Sequence, residues 1–138
     1  MGSFEFFDHA ADVGLRITAV DLPGLYEGAA QALMHWIGPP PSHGKGRAEA
    51  VEVAGEDLEE LMVRWLQELL YLFHARHGYV TAVKGLAVEP SRLKAEVVWL
   101  PWDETSGHAY QEVKAVTYHG LRVERSGGGW EARVILDI

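Results

Sequence analysis

Cysteine is missing altogether, which excludes a disulfide scaffold, a cysteine-ligated zinc site and a thiol nucleophile. The absence fits a reducing compartment. No apolar run approaches the length of a membrane span. The opening stretch, Met1-Gly2-Ser3-Phe4-Glu5-Phe6-Phe7-Asp8, has neither the basic start nor the apolar core of a signal peptide. These absences predict a soluble cytoplasmic domain with no membrane partner. Lys and Arg form no run, only the short pairs Arg92 with Lys94 and Arg122 with Arg125. With 12 basic against 20 acidic residues the net charge is −8. Phosphate backbones repel such a chain, so tight direct nucleic-acid binding is not expected. A basic protein partner or a bound cation is easier to accommodate.

What is present describes a globular protein. The 138 residues suit one domain. An apolar fraction of 48%, with five Trp, five Tyr and four Phe, provides a core. No internal repeat or long linker divides the chain. The acidic excess lies in residues 1–69, which hold 12 acidic and 4 basic side chains.

Local signals place the elements. Residues 4–7 and 15–20 read as strands joined by Asp8-His9-Ala10-Ala11-Asp12-Val13-Gly14. Asp21 is the expected N-cap of a first helix, with Pro23 in its first turn and Gly38 past its end. Leu22, Leu25, Tyr26, Ala29, Leu33, Met34 and Ile37 keep its helical spacing. Residues 48–53 alternate as a strand with one wet face. A second helix is predicted over 56–77 with Gly78 as its stop. Its stripe is Leu58, Leu61, Met62, Trp65, Leu66, Leu69, Leu70 and Phe73. Glu56, Asp57, Glu59 and Glu60 suit the positive end of its dipole, and His74, Arg76 and His77 the negative end. The remainder reads as strands over 79–88, 92–100, 111–118, 121–125 and 130–138. His119-Gly120 is read as a break, and residues 126–129 as a hairpin turn. The expected class is α+β: a largely antiparallel, mixed sheet with two main helices on one face, in a single domain spanning residues 1–138.

Most candidate sites dissolve on inspection. Residues 38–46 superficially resemble a phosphate loop. The spacing is wrong, and Pro39, Pro40 and Pro41 lack the N–H groups that cradle phosphate. None of the five serines sits in a Gly-x-Ser-x-Gly elbow. His74 and His77 could pair on a metal, but capping of a helix end explains them. Trp65, Trp99 and Trp130 read as core.

Two places resist the plain reading. Asp8, His9 and Asp12 crowd one short connection. At the other extremity Asp137 follows the apolar run Val134-Ile135-Leu136, and Ile138 brings a main-chain carboxylate. If that strand lies beside the first hairpin, Asp12, Asp137 and Ile138 converge. Three negative groups at close range repel, and a hard divalent cation relieves them; oxygen ligation suits Ca²⁺ or Mg²⁺ over zinc. The other reading is that these aspartates merely cap or turn the chain.

Four stretches, in order, resemble the archease family: Phe7-Asp8-His9-Ala10-Ala11-Asp12-Val13-Gly14, the helical segment 61–73, Lys114-Ala115-Val116-Thr117-Tyr118-His119-Gly120-Leu121, and the ending Val134-Ile135-Leu136-Asp137-Ile138. The resemblance spans nearly the whole chain. One departure is Ala10, which brings no hydroxyl where the family more often has Thr. The resemblance implies an accessory protein rather than an enzyme, one that activates a GTP-dependent RNA-splicing ligase of the RtcB type in tRNA splicing and RNA repair. It implies help with guanylylation of the ligase and with multiple turnover. It also implies a metal site at Asp12, Asp137 and Ile138, for Ca²⁺, with Mg²⁺ or Mn²⁺ as alternatives. His9 and Lys114 are candidates for partner or phosphate contact. The rival readings are a chaperone-like modulator of other tRNA-modifying enzymes such as a methyltransferase, a metal-dependent hydrolase using the same carboxylates, and a direct RNA binder.

Overall fold

Alternation of apolar and polar residues, interrupted by two helical stripes, dictates the elements. The computed structural model describes residues 2–9, 12–104 and 110–138, except the side chains of Asp8 and His9. Ala10, Ala11 and the middle of the polar loop before Tyr110 lie outside the described residues. Among these residues the order is β1 (Ser3–His9), β2 (Asp12–Ala19), α1 (Leu22–Ile37), β3 (Arg47–Ala54), α2 (Leu58–Arg76), β4 (Gly78–Glu89), β5 (Arg92–Pro101), β6 (Ala115–Ser126) and β7 (Gly129–Asp137).

The helices obey their predicted signals. Asp21 accepts a hydrogen bond from the Gly24 N–H at 2.8 Å and opens α1. The start of α2 is two residues later than predicted: Asp57, expected inside the first turn, is its N-cap and accepts from the Glu60 N–H at 2.8 Å, while Glu60 accepts from the Glu56 N–H. The end of α2 differs from expectation. His77, not Gly78, takes the left-handed cap, at φ 54°. Gly78 is small for another reason: a Cβ there would lie 2.8 Å from the Trp99 ring.

The α+β class stands, but the strands divide between two sheets, ordered β1-β2-β7-β6 and β3-β5-β4, with every pairing antiparallel. Both helices pack on both sheets. The stripe of α2 explains this. Leu61, Met62, Val63, Trp65, Leu66, Leu69, Leu70, Leu72 and Phe73 are all buried, an apolar arc too wide for one sheet to cover. Fully buried Tyr26 and Trp65 join the helices: the Trp65 indole N–H donates to the Tyr26 carbonyl at 2.8 Å, and the Tyr26 hydroxyl to the Leu58 carbonyl at 2.7 Å.

Three local expectations are corrected. The 8–14 connection is shorter than predicted, because β1 and β2 pair from Ser3↔Thr18 to His9↔Asp12. The break at His119-Gly120 is instead an irregularity inside β6, where the register slips between Thr117 and Arg122 and Gly120 takes φ 62°. The strand predicted from residue 111 starts at Ala115. The segment before it tends helix ends: the Gln111 backbone N–H donates to the Ile37 carbonyl and its side-chain amide to the Trp36 carbonyl, each at 2.9 Å. The hairpin turn is as expected, with Gly127 and Gly128 both at positive φ.

Candidate functional site

The site is built by strand alternation. On β2, Val13, Leu15 and Ile17 are buried, so Asp12, Gly14 and Arg16 face outward. On β7, Ala132, Val134 and Leu136 point into the core, so Arg133, Ile135 and Asp137 share the outer face, where Ile135 is itself buried. The antiparallel register then sets Asp12 directly opposite Asp137. Directly opposed residues have Cβ atoms about 4.5–5.5 Å apart. Both are half-buried and Ile138 is exposed. The extremities of the chain, far apart in sequence, therefore meet at one corner of the first sheet.

The other predicted residues gather around this corner. His9 pairs in register with Asp12; its side chain lies outside the described residues, as does that of Asp8. Lys114 is exposed, and its backbone N–H donates to the Asp137 carbonyl at 2.7 Å. Ala115 sits opposite Asp137 from the β6 side.

The chemistry of this corner is hard oxygen. Two side-chain carboxylates and the Ile138 main chain suit a calcium- or magnesium-like ion rather than a soft metal. Among the described residues no group of three or more His, Cys, Asp or Glu side chains is arranged to hold a metal; this corner brings two carboxylate side chains together. The alternative His74 and His77 pair is absorbed by structure. A ring nitrogen of His74 hydrogen-bonds the Val113 carbonyl at 2.9 Å, and His77 stacks on Trp102 at 4.5 Å.

What lies beside the carboxylates has no local signal in the sequence. The Phe7 ring covers Gly14, where a Cβ would come within 2.1 Å of it, and the Arg133 guanidinium lies 4.5 Å from that ring's centre. Of the tryptophans read as core, Trp65 and Trp99 are buried, whereas Trp130 is only partly so and carries Arg125 over its ring. Nor is the short pair Arg122 with Arg125 a unit, since Arg122 instead faces Arg133. Arg92 and Lys94 both meet Glu52.

No helix among the described residues is long and apolar enough to cross a membrane. A family model described as "Archease protein family (MTH1598/TM1083)" matches residues 4–138. The chain is 34% identical over 143 residues to the protein archease of Pyrococcus abyssi, covering 100% of both. It is similar to the solution structure of protein 1598 of Methanobacterium thermoautotrophicum, with a TM-score of 0.74, 31% identity and 99% of each chain covered. It shares its fold with a Thermotoga maritima protein described as an archease and possible chaperone, with a TM-score of 0.67, 21% identity, and 96% and 94% of the two chains covered.

Proposed function

Because the chain belongs to the archease family over residues 4–138, we propose that it is a non-catalytic, cytoplasmic accessory protein that activates an RNA-splicing ligase of the RtcB type, promoting its guanylylation and repeated turnover in tRNA splicing and RNA repair. The observation that carries the reading is the register that sets Asp12 opposite Asp137 beside exposed Ile138. We assign these residues to a divalent cation, with Ca²⁺ ahead of Mg²⁺ or Mn²⁺. Like charges directly opposed across strands are unfavourable, and a cation between them removes the cost. When bound, such an ion supplies positive charge to phosphate oxygens.

The chain's own residues do the rest. Asp12 and Asp137 are held by a continuous ladder of backbone pairs, so their spacing is set before any partner arrives. Both are partly exposed, within reach of a docking protein. Lys114 is fixed at its backbone and exposed at its side chain, which suits contact with an acidic or phosphate group of the partner. His9 is assigned the same role from its place in the register.

The test is ligation at limiting ligase, comparing the unaltered chain with Asp12→Ala, Asp137→Ala and a chain lacking Ile138. Stimulation is expected to fall at least tenfold in each variant, with thermal melts verifying the fold. Calcium titration by calorimetry should show binding to the unaltered chain and none to Asp12→Ala. Equal stimulation by all four proteins removes the carboxylate corner from the mechanism. Stimulation of a tRNA methyltransferase but not of the ligase selects the chaperone-like alternative.

A further inference from the structure

A second group of charges lies on the same outer face, about 13 Å along the strands from the carboxylates. Arg16, Arg133 and Arg122 occupy one row across β2, β7 and β6: Arg16 faces Arg133, and Arg133 faces Arg122. All three are exposed. Neighbouring strands are about 4.8 Å apart, and like charges directly opposed destabilise a sheet. The row is treated unevenly. Arg16 is clasped by Glu5 at 3.0 Å and Glu131 at 3.1 Å. Arg133 lies over the Phe7 ring, which orients the guanidinium without neutralising it. Among the described residues no ion pair reaches Arg133 or Arg122. Glu124, which faces Glu131 in the next row, makes none with them either.

We propose that Arg122 and Arg133 form a binding site for a phosphoryl group. Planar guanidinium forks match phosphate oxygens two at a time. An anion between them also removes the repulsion that the register builds in. Phe7, seated on Gly14, holds one fork in place beforehand, which lowers the ordering cost of binding. The phosphoryl group belongs to a nucleotide or to an RNA chain; the recognising chemistry is the same. Neither arginine belongs to the proposed cation site.

The test follows arginine side-chain Nε–H signals by ¹⁵N NMR at low salt without divalent cation. Pyrophosphate, ATP and a short single-stranded RNA are titrated separately. Saturable shifts are expected at Arg122 and Arg133 but not at Arg16. Arg122→Gln combined with Arg133→Gln should weaken binding about tenfold or more. Tighter binding of ATP than of pyrophosphate assigns the site to nucleotides; tighter binding of RNA assigns it to the chain. Shifts spread evenly over all arginines, including Arg92 on Glu52, would overturn the site. So would the absence of a saturable shift with all three probes. With no divalent cation present, failure here leaves the carboxylate corner standing, and failure of the ligation test leaves this site standing.

Discussion

A methyl group at Gly14 would lie 2.1–2.3 Å from ring carbons of Phe7, so Gly14→Ala must push the ring off the sheet and release Arg133 with it. The atoms met are the far end of a half-buried side chain, so the ring swings aside at small cost. The expected outcome is a shifted Arg133 Nε–H signal in Gly14→Ala, as the guanidinium loses its contact with Phe7, with little change in the urea midpoint. Tyr79 offers a titration at the same scale. Its buried hydroxyl donates to the Gly38 carbonyl, with Met34 O at 3.2 Å. Burial first, and Tyr110 second, push its phenol up to about 12. In the unfolded chain a tyrosine loses its proton near pH ~10. The stabilisation is therefore whole below pH ~10 and is lost as pH rises from there through about 12. Urea unfolding at stepped pH should show stability falling less steeply over that window in Tyr79→Phe than in the unaltered chain. Parallel slopes would show that this phenol does not carry the effect.

At the scale of elements, caps matter more than the surface ion pairs. Arg64 with Glu60, and Arg92 with Glu52, are exposed pairs of little consequence in water. Asp21 and Asp57 instead satisfy helix-end N–H groups, those of Gly24 and Glu60. Alanine at either position should lower stability by about 1 kcal/mol, read from chemical unfolding, with Asp57→Ala also disturbing the Glu60 contact to the Glu56 N–H. The edge of β6 depends on the same helix: the Glu59 carboxylate accepts from the Val123 N–H at 3.3 Å. That contact satisfies one N–H on the outer edge of the strand.

At the scale of the molecule, both helices touch both sheets, and the Tyr26 and Trp65 hydrogen bonds tie the helices together. Neither sheet keeps its core without the other. Unfolding in urea should therefore be one transition, with tryptophan fluorescence and far-ultraviolet circular dichroism superimposing. Separate midpoints would show that the two sheets come apart independently. The charge is divided too: residues 1–69 hold the acidic excess, yet the first sheet's outer face carries a row of three arginines. Net charge alone argued against phosphate contact, and the local arrangement of charge permits it.

Most of what depends on neighbours in the chain was legible in the sequence, though not the end of α2, where His77 rather than Gly78 takes the left-handed cap. Asp21, Pro23 and Gly38 bounded α1, the acidic start and wide stripe of α2 marked that helix, and the glycines at 127–129 marked the last hairpin, because capping, periodicity and turn chemistry act over a few residues. The family was legible as well, in four short motifs and their order. Pairing between distant strands was not. Nothing local told residues 48–53 to join a second sheet through β5, or told Thr117 and Arg122 to straddle an irregularity in one strand. The corner of Asp12 and Asp137 had its residues named in advance, but their opposition waited on the register of β2 against β7. The arginine row had no such warning, since Arg16, Arg122 and Arg133 share a face only after three strands from opposite ends of the chain align. Local chemistry chooses the elements; burial of their apolar faces against one another chooses the register, and the register decides which charges meet.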